Sequence, residues 1–272
     1  MSTRISFVSI FICLLLTCSC QAQTGKQKDE CINREPVVDG QFYPDNENEL
    51  RSKLNSFFSQ AKDRRSSGKL RAVISPHAGY VFSGKVAASA YNQIPPDAEY
   101  DNVFIIAPSH KVRISGASIY NIGNYETPLG EVMVNRSLAD KLIEAHDFFS
   151  FEKQAHKKEH SLEVQLPFLQ HHLKNDFRIV PIVTGFQQPE MAEKMANALK
   201  PYFTGENLFI VSSDFSHYPK YDEARAVDNA TADAIASNSP GKFLQTIRAN
   251  AQKDVSNLST SCCGRAGILS LL

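Results

Sequence analysis

Three apolar runs in this chain each end at a histidine, and this recurrence constrains the fold more than any other feature. The first run is Ala72–Ile74, followed by Pro76 and His77. The second, NVFIIAPSH, covers residues 102–110, and the third, NLFIVSSDFSH, covers residues 207–217. Short apolar runs bounded by turn residues are typical of buried strands, and proline ends a strand because it offers no N–H to the ladder. Ligands bind at the carboxyl ends of strands in open α/β sheets, so the three histidines are predicted to share one site.

Helical patterns alternate with these runs, which indicates an α/β protein with a central, mainly parallel sheet flanked by helices. The first helix is predicted from Glu47 to Ala61, and the helix after the first histidine from Lys85 to Ile94. Residues 116–120 and 131–134 are predicted as short strands, with the YETPLG segment as the loop between them.

The second half of the chain continues the same alternation. Its predicted elements are a helix capped by Ser137, a helix opened by Glu159, a strand over Phe177–Val183, and helices over Pro189–Leu199, Asp222–Ala236, Gly241–Ala249 and from Gly264. The polar residues 146–158 are predicted to form a surface loop, and His146, His171 and His172 to be surface residues.

The composition limits the possible classes of function. Of 272 residues, 42% are hydrophobic and 21% are charged, which is typical of a globular protein. The 29 basic and 29 acidic residues cancel, which argues against a nucleic-acid partner because nucleic acids select basic surfaces. The chain contains no Walker-type loop and no GxGxxG, HExxH or GxSxG motif that would indicate another chemistry.

The N-terminal segment is predicted to be an export signal. Arg4 precedes an apolar stretch over Ile5–Leu16, whose length is typical of a secretory signal and short for a membrane span. The cysteines that follow resemble a bacterial lipoprotein processing site, so Cys20, or Cys18, is expected to carry lipid; ordinary cleavage near Ala22 is the alternative. The protein is therefore expected to be a periplasmic or outer-membrane-anchored lipoprotein of a bacterium, with the lipid as its only membrane contact.

This interpretation divides the chain into a signal over residues 1–20, a flexible tether over residues 21–33 and one domain over residues 34–272. Outside the signal the cysteines are Cys31, Cys262 and Cys263. Their odd number argues against a disulfide framework, although a bridge between Cys31 and Cys262 remains open in an oxidising compartment.

The strand-end histidines predict a metal site, because neutral imidazole is the commonest protein ligand for transition metals. His77 and His110 are predicted to place two nitrogens on one ion from adjacent strand ends. Cys263 is the best third ligand, since the start of a helix favours the thiolate. Two histidines and a thiolate suit copper or iron, and zinc is also compatible. Asp214 and His217 are predicted as acid–base groups around the metal, with Asp214 fixing a tautomer.

Each of these residues also has a purely structural interpretation. The alternatives are turn residues for His77 and His110, a turn cap for Asp214, and core packing or an oxidised pair for Cys262 and Cys263. Glu159 and Glu163 at the start of a helix are explained sufficiently by the helix dipole. His160 is predicted to line the site.

Several motifs, taken in their order, resemble the Memo family, known in bacteria as AmmeMemoRadiSam system protein B. They are REPVVDGQFYP, SPHAGYVFSG, APSHKV, YETPLGEVMVN, EHSLEVQLPFL, IVPIVTG, SSDFSHY and SCCGR, and they run from Arg34 to the C-terminus. The resemblance implies a fold similar to the class III extradiol ring-cleaving dioxygenases. It also implies a mononuclear metal site made by His77, His110 and Cys263.

The resemblance further implies an acid–base position at Asp214 and His217. Tyr80 and His160 are predicted to line the cleft beside it, where a partner or substrate would bind. The cysteine stands where the dioxygenases have a carboxylate, which argues against ring cleavage itself. The resemblance implies redox or dioxygenase-like chemistry with iron or copper, on an unknown small molecule or peptide. The alternatives on the same fold are a non-catalytic metal-binding protein and a peptide- or partner-binding module.

The chain ends at Leu272, within the helix predicted after SCCGR. The resemblance implies further strands beyond this point, so a truncated C-terminus is expected. A missing strand would expose a sheet edge, and marginal stability is expected to follow.

Overall fold

The computed structural model describes residues 31–65 and 68–272. The predicted signal, the cysteine predicted to carry lipid and most of the predicted tether lie outside the described residues. Within them, a six-stranded sheet carries helices on both faces, which confirms the predicted α/β class. In this part of the chain, every helix falls short of the length and apolarity that a membrane span requires.

The elements follow one another largely in the predicted order. The strands of the described chain are β1 (Ala72–Ser75), β2 (Asn102–Pro108), β3 (Ala117–Ile119), β4 (Tyr125–Thr127), β5 (Gly130–Val132), β6 (Phe149–Ser150), β7 (Arg178–Thr184) and β8 (Asn207–Ser212). The α-helices are α1 (Glu47–Phe58), α2 (Tyr80–Tyr91), α3 (Arg136–Ala145), α4 (Lys153–Lys157), α5 (His160–Glu163), α6 (Leu166–His172), α7 (Pro189–Leu199), α8 (Tyr221–Ala236), α9 (Pro240–Gln252) and α10 (Arg265–Leu271).

The strand order in the main sheet is β1-β8-β2-β7-β3-β6. The first four strands are parallel, β3 runs antiparallel to β7, and β4 and β5 form a separate hairpin. Because β8 lies between β1 and β2, the strands that precede His77 and His110 are not adjacent as predicted. They lie two strand spacings apart, roughly 9.5 Å. Ser75 pairs with Ser212, so β1 and β8 end level with each other.

Side chains alternate across the sheet and build two apolar layers. On β2, Val103, Ile105 and Ala107 face the layer that holds α1, α2 and α6, whereas Phe104 and Ile106 face the layer that holds α3, α7 and α10. Each of the valine, isoleucine and phenylalanine side chains buried in this way contributes roughly 1.5–3 kcal/mol of transfer free energy. The strands covered on both faces read as the continuous apolar runs seen in the sequence.

Two helix starts differ from the predictions. Helix α2 begins at Tyr80 and not at Lys85, because the chain turns into the helix directly after an extended glycine. Helix α3 is capped by Asn135 and not by Ser137: the Asn135 side chain accepts a hydrogen bond from the Leu138 N–H at 3.1 Å. Asparagine is as good an N-cap as serine, so N-cap preference alone does not show whether the helix starts at Asn135 or at Ser137.

Two segments predicted as loops contain regular structure. The YETPLG segment supplies β4 and the turn of the β4–β5 hairpin. Residues 146–158 contain β6 and α4, and α4 buries His156. The His156 ring lies between the Tyr125 hydroxyl, 2.8 Å from Nδ1, and the Ser118 hydroxyl, 3.0 Å from Nε2. These hydroxyl partners let a polar ring enter the core.

His172 is also buried, although it was predicted at the surface. Its Nε2–H donates to the Ile94 carbonyl at 2.7 Å, and its ring stacks on Phe58 with centroids 4.9 Å apart. The neighbouring His171 ring stacks on the same phenylalanine at 5.3 Å and stays partly exposed.

A buried ion pair fixes the N-terminal segment to the core. The Glu163 carboxylate accepts hydrogen bonds from the Arg34 guanidinium, from the N–H groups of Val37 and Val38, and from the Tyr43 hydroxyl at 2.6 Å. Burial and the Glu163 charge both raise the pKa of Tyr43 above its ordinary value, so its hydroxyl remains a donor. Glu163 therefore acts through this network rather than through the helix dipole.

The remaining donors of Arg34 bind main-chain oxygens. Its Nε–H donates to the His156 carbonyl at 3.1 Å, and Nη2 donates to the Glu159 carbonyl at 2.7 Å. The chain is already attached just before this residue, because the Ile32 N–H donates to the Ile122 carbonyl at 2.8 Å.

We expect Glu163→Gln to lower the free energy of unfolding by about 3 kcal/mol, because it leaves the Arg34 charge buried without an anion. Urea unfolding at pH 7 measures this. Glu47→Gln is the matched control, since Glu47 pairs with Arg51 on the exposed face of α1 and should change stability by less than about 0.5 kcal/mol. Equal effects of the two substitutions would contradict the role of the buried pair.

His156 makes the fold sensitive to acid. Burial lowers the pKa of His156 from 6.5 to about 3, so between these values the unfolded chain binds a proton that the folded protein excludes. Stability is therefore fully present above pH 6.5 and falls as the pH drops toward 3. Lowering the pH from 7 to 5 should therefore reduce the free energy of unfolding by about 2 kcal/mol through His156 alone.

We expect His156→Gln to reduce the loss of unfolding free energy between pH 7 and pH 5 by that amount, as read from urea curves at both pH values. Each variant is compared with itself at the two pH values, so lost hydrogen bonds cancel. His146→Gln, which changes a more exposed histidine, is the control and should keep the pH dependence of the parent. The same pH dependence in His156→Gln and parent would disprove the assignment.

Candidate metal centre

The loops after β1, β2 and β8 and the loop before α10 converge above the end of β8. They bring together His77, His110 and Cys263, whose ligand atoms all lie within 4.8 Å of one another. Cys263 Sγ is 3.2 Å from His77 Nε2, and the two imidazole centroids are 5.1 Å apart. His77 is buried, whereas His110 is the more open of the two rings. The structure therefore unites the three residues predicted as metal ligands.

Ser212 determines which nitrogen of His77 faces this cluster. Its hydroxyl donates its one proton to the Ser161 carbonyl at 2.6 Å. It must therefore accept from both of its other partners, His77 Nδ1 at 2.8 Å and the Gln165 amide at 2.9 Å. His77 consequently carries its proton on Nδ1, and the lone pair on Nε2 points toward Cys263. Burial lowers the pKa of His77 to about 3, so the ring is neutral at physiological pH.

Glu159 does the same for His110. One carboxylate oxygen lies 2.9 Å from His110 Nδ1, and the other accepts the backbone N–H of the same residue at 2.5 Å. Burial by itself would raise the pKa of Glu159, but the hydrogen bonds from His110 outweigh it and lower the pKa to about 2. Because the ionised carboxylate can only accept, His110 carries its proton on Nδ1 and leaves Nε2 free. The sequence motif EHSLEVQ contains this residue, but its helix-start position concealed the role.

Asp214 shapes the turn around His77 but does not fix its tautomer as predicted. One oxygen accepts the His77 N–H at 2.7 Å and the next N–H along the chain at 3.2 Å. The other oxygen lies 3.8 Å from His77 Nε2 and 4.0 Å from His217 Nε2. His217 donates from Nδ1 to the Phe215 carbonyl at 2.8 Å, which leaves its Nε2 facing the carboxylate.

Cys263 is held close to β8 by the glycine that follows it. A Cβ on Gly264 would lie 2.4 Å from the Ser212 carbonyl oxygen, so only glycine allows this approach. The Gly264 N–H donates to Ser213 Oγ at 2.9 Å, and the Cys263 N–H donates to the Asp214 carbonyl at 3.2 Å. Burial, together with the charge of Asp214, raises the pKa of Cys263 to about 12. The expected thiolate is therefore not favoured by the protein alone: a cation has to stabilise it.

The cysteines of the described chain are all free thiols. Cys31 is exposed and Cys262 is buried, so the bridge between them that the sequence left open is absent. Cys262 Sγ lies 3.3 Å from Ser213 Oγ, and burial raises its pKa to about 11. Cys262 therefore packs behind the site as a neutral thiol.

The two residues predicted to line the cleft behave differently. The His160 ring lies 4.7 Å from the His110 ring and 5.6 Å from the His77 ring, and its outer side packs on Phe42 at 4.9 Å. His160 is thus part of the histidine cluster. Tyr80 points into the core, where its hydroxyl donates to the Val164 carbonyl at 2.8 Å. The start of α2 at this residue turns the ring inward, so the lining role predicted for Tyr80 is wrong.

The donor set matches a transition metal. An ion that binds nitrogen at about 2.0–2.1 Å and sulfur at about 2.3 Å needs ligand atoms roughly 3–4 Å apart. The three predicted ligands are near this spacing and present two free imidazole nitrogens and one sulfur. A second group of possible ligands, His110, Glu159 and His160, lies equally close. Hydrogen bonds already occupy the Glu159 carboxylate of that group, whose oxygens accept the His110 ring and the backbone N–H groups of His110, His160 and Ser161.

Comparison with known proteins agrees with the resemblance inferred from the motifs. A family model described as "Memo-like protein" matches residues 34–272. A MEMO1 family protein of Thermoplasma volcanium is 38% identical over 218 residues, which are 79% of this chain and 78% of the relative. A MEMO1 family protein of Desulfurococcus amylolyticus is 32% identical over 251 residues, covering 88% and 86%. One from Methanobrevibacter smithii is 36% identical over 228 residues, covering 79% and 80%.

Because the Cys263 thiol is protonated without a cation, metal binding should release one proton from it. We expect the affinity for Zn²⁺, used as a probe, to rise about tenfold per pH unit between pH 7 and pH 8.5. Competition titrations with a chelator measure this. Cys263→Ser should bind more than tenfold more weakly with a shallower pH dependence, whereas Cys262→Ser should keep the slope of the parent. A pH-independent affinity in the parent would rule out the thiol as a ligand.

Proposed function

The chain belongs to the Memo family, and on that premise we propose that it holds one iron or copper ion through His77, His110 and Cys263. We propose that it uses this ion in redox or dioxygenase-like chemistry on a small molecule or peptide. The observation that supports this most directly is the state of the two imidazoles. Each ring commits Nδ1–H to a protein acceptor and keeps the Nε2 lone pair for the cluster that contains the thiol.

The donor set favours copper or iron, since a thiolate and two imidazoles are soft to intermediate ligands; zinc is also compatible. A bound iron or copper ion would supply one-electron redox chemistry and would polarise an oxygen of the substrate. The protein supplies the surroundings. His77 is buried and Cys263 is partly buried, whereas the partly exposed His110 leaves the cluster open on one side.

His217 and Asp214 are the groups placed to move a proton. His217 directs its Nε2 toward the Asp214 carboxylate, 4.0 Å away, and its side chain remains partly exposed. A substrate group entering between them could leave a proton on His217 Nε2, with Asp214 stabilising the imidazolium that forms.

A second candidate function is partner binding, with or without metal. The outer face of α2 exposes Val81, Phe82 and Val86, which are 76%, 84% and 62% accessible. This helix starts directly after the His77 turn, and Phe82 approaches Gly79 of that turn. An apolar surface beside a polar cleft is typical of interaction sites, and it would let the cleft receive a side chain from a peptide.

We also propose that the mature protein works outside the cytoplasm, as its predicted export signal indicates. An accessible thiol in an oxidising compartment is prone to oxidation unless a metal protects it. The protein should therefore be purified without oxygen before its metal content is measured.

Elemental analysis of protein purified anaerobically tests the metal assignment. We expect near-stoichiometric iron or copper in the parent, and less than a tenth of that in the His77→Ala/His110→Ala variant, because the double change removes both imidazole ligands. His171→Ala is the control, since that histidine lies outside the cluster, and it should retain the metal. Equal metal in parent and double variant, or none in the parent even after reconstitution, would reject the proposal.

His217→Ala separates catalysis from metal storage. We expect it to keep the metal but to lose at least tenfold in oxygen consumption in a screen of catechols and thiols, since it removes only the proton-transfer group. Unchanged oxygen consumption in this variant would exclude the acid–base role. Loss of binding of a peptide partner by Phe82→Ser, without any turnover in the parent, would instead favour the second candidate function.

A further inference from the structure

The buried carboxylate of Glu159 lacks the partner that usually compensates a buried charge. Its side chain is 1% exposed, and its ion-pair partners among the described residues are both imidazoles. Nδ1 of His110 lies 2.9 Å from Glu159 Oε1, and Nδ1 of His160 lies 3.4 Å from the same oxygen. Glu163, one helical turn later, is instead neutralised by Arg34.

Helix capping does not account for Glu159. Its carboxylate accepts the N–H groups of His160 and Ser161 at 3.1 Å, as an N-cap side chain does. Asp, Asn, Ser and Thr are the residues preferred at this position, and a short side chain would suffice for it. The longer side chain of glutamate reaches from the cap to the loop after β2, where it binds both the ring and the N–H of His110.

We propose that Glu159 is a positioning residue of the metal centre: its single carboxylate orients His110, which would bind the metal, and His160, which borders the cleft. The inference rests on the proposed function because it takes His110 to be a metal ligand. It adds that the Glu159 carboxylate orients the ring of this ligand. A metal-ligating histidine with a carboxylate on its other nitrogen is a better donor and has less freedom to rotate. The same anchor keeps the His160 ring 4.7 Å from the His110 ring.

Both oxygens of Glu159 are needed in this arrangement. One accepts the His110 N–H, and the other accepts the His110 ring and the N–H groups of His160 and Ser161. Glutamine has the same shape but only one acceptor oxygen. Glu159→Gln therefore points an NH₂ group at a donor on one side or the other, and His110 has to move or turn.

The first test is the affinity for Zn²⁺, measured by competition with a chelator at pH 7.5. Changes to the outer partners of metal-binding histidines typically cost roughly 10–100-fold in affinity, and we expect Glu159→Gln to bind at least tenfold more weakly than the parent. The matched control is Glu163→Gln, which alters the other buried glutamate of the same segment. It should lower stability and keep the affinity within threefold. If it folds poorly, Tyr43→Phe, which removes one hydrogen bond from Glu163, replaces it.

The second test needs no metal. Long-range ¹⁵N–¹H NMR of the metal-free protein reports which nitrogen of each histidine carries the proton. The parent should show His110 protonated on Nδ1, and Glu159→Gln should shift His110 to a mixture of tautomers, with Glu163→Gln unchanged.

The two tests separate this inference from the proposed function. Glu159→Gln with parental affinity and parental tautomers would overturn the positioning role. A parent that binds no Zn²⁺ would reject the metal site, and the tautomers alone would then decide whether Glu159 orients His110.

Discussion

The insertion of β8 between β1 and β2 is the constraint on which the site depends. The register sets Ser75 opposite Ser212, and residues 212–214 contact His77, the turn that carries it and the loop of Cys263. Ser212 binds the ring of His77, Ser213 binds the loop that carries Cys263, and Asp214 binds the turn after β1. A register shift of one residue would turn the Ser212 hydroxyl to the opposite face of the sheet, and all three contacts would be lost at once.

The fold and the grouping of the three candidate ligands could be predicted from the sequence because both depend on local patterns. Apolar runs identify strands buried on both faces, and a histidine directly after a strand is fixed at the sheet edge whatever the strand order. The strand order itself was missed: His77 and His110 were placed on adjacent strands, whereas β8 separates them. The loops above β8 bring the two histidines together across this strand. The apolar runs of β1 and β2 contain no signal that another strand lies between them.

The residues that support the site could not be predicted in the same way. Glu163 reads as a helix-start residue until its partner is known, and Arg34 is 129 residues away. His156 reads as part of a polar loop, because its burial depends on hydroxyls from two strands far from it along the chain. Tyr80 was assigned to the cleft for the opposite reason: next to a glycine it resembled an exposed turn, but a helix start turned it inward. Whether a polar side chain can be buried depends on the groups that bind it, and in these cases those groups are far away in the sequence.

The position of β1 has a consequence for how the site and the fold are linked. β1 directly precedes the His77 turn, and among the described residues it is an edge strand paired with β8 alone. Edge strands open locally at a lower free energy than the whole domain, and their amide hydrogens exchange sooner. Any ligand held by His77 adds its binding free energy to the closed state. A ligand bound at the site would therefore slow amide hydrogen exchange along β1, the strand that precedes the histidine.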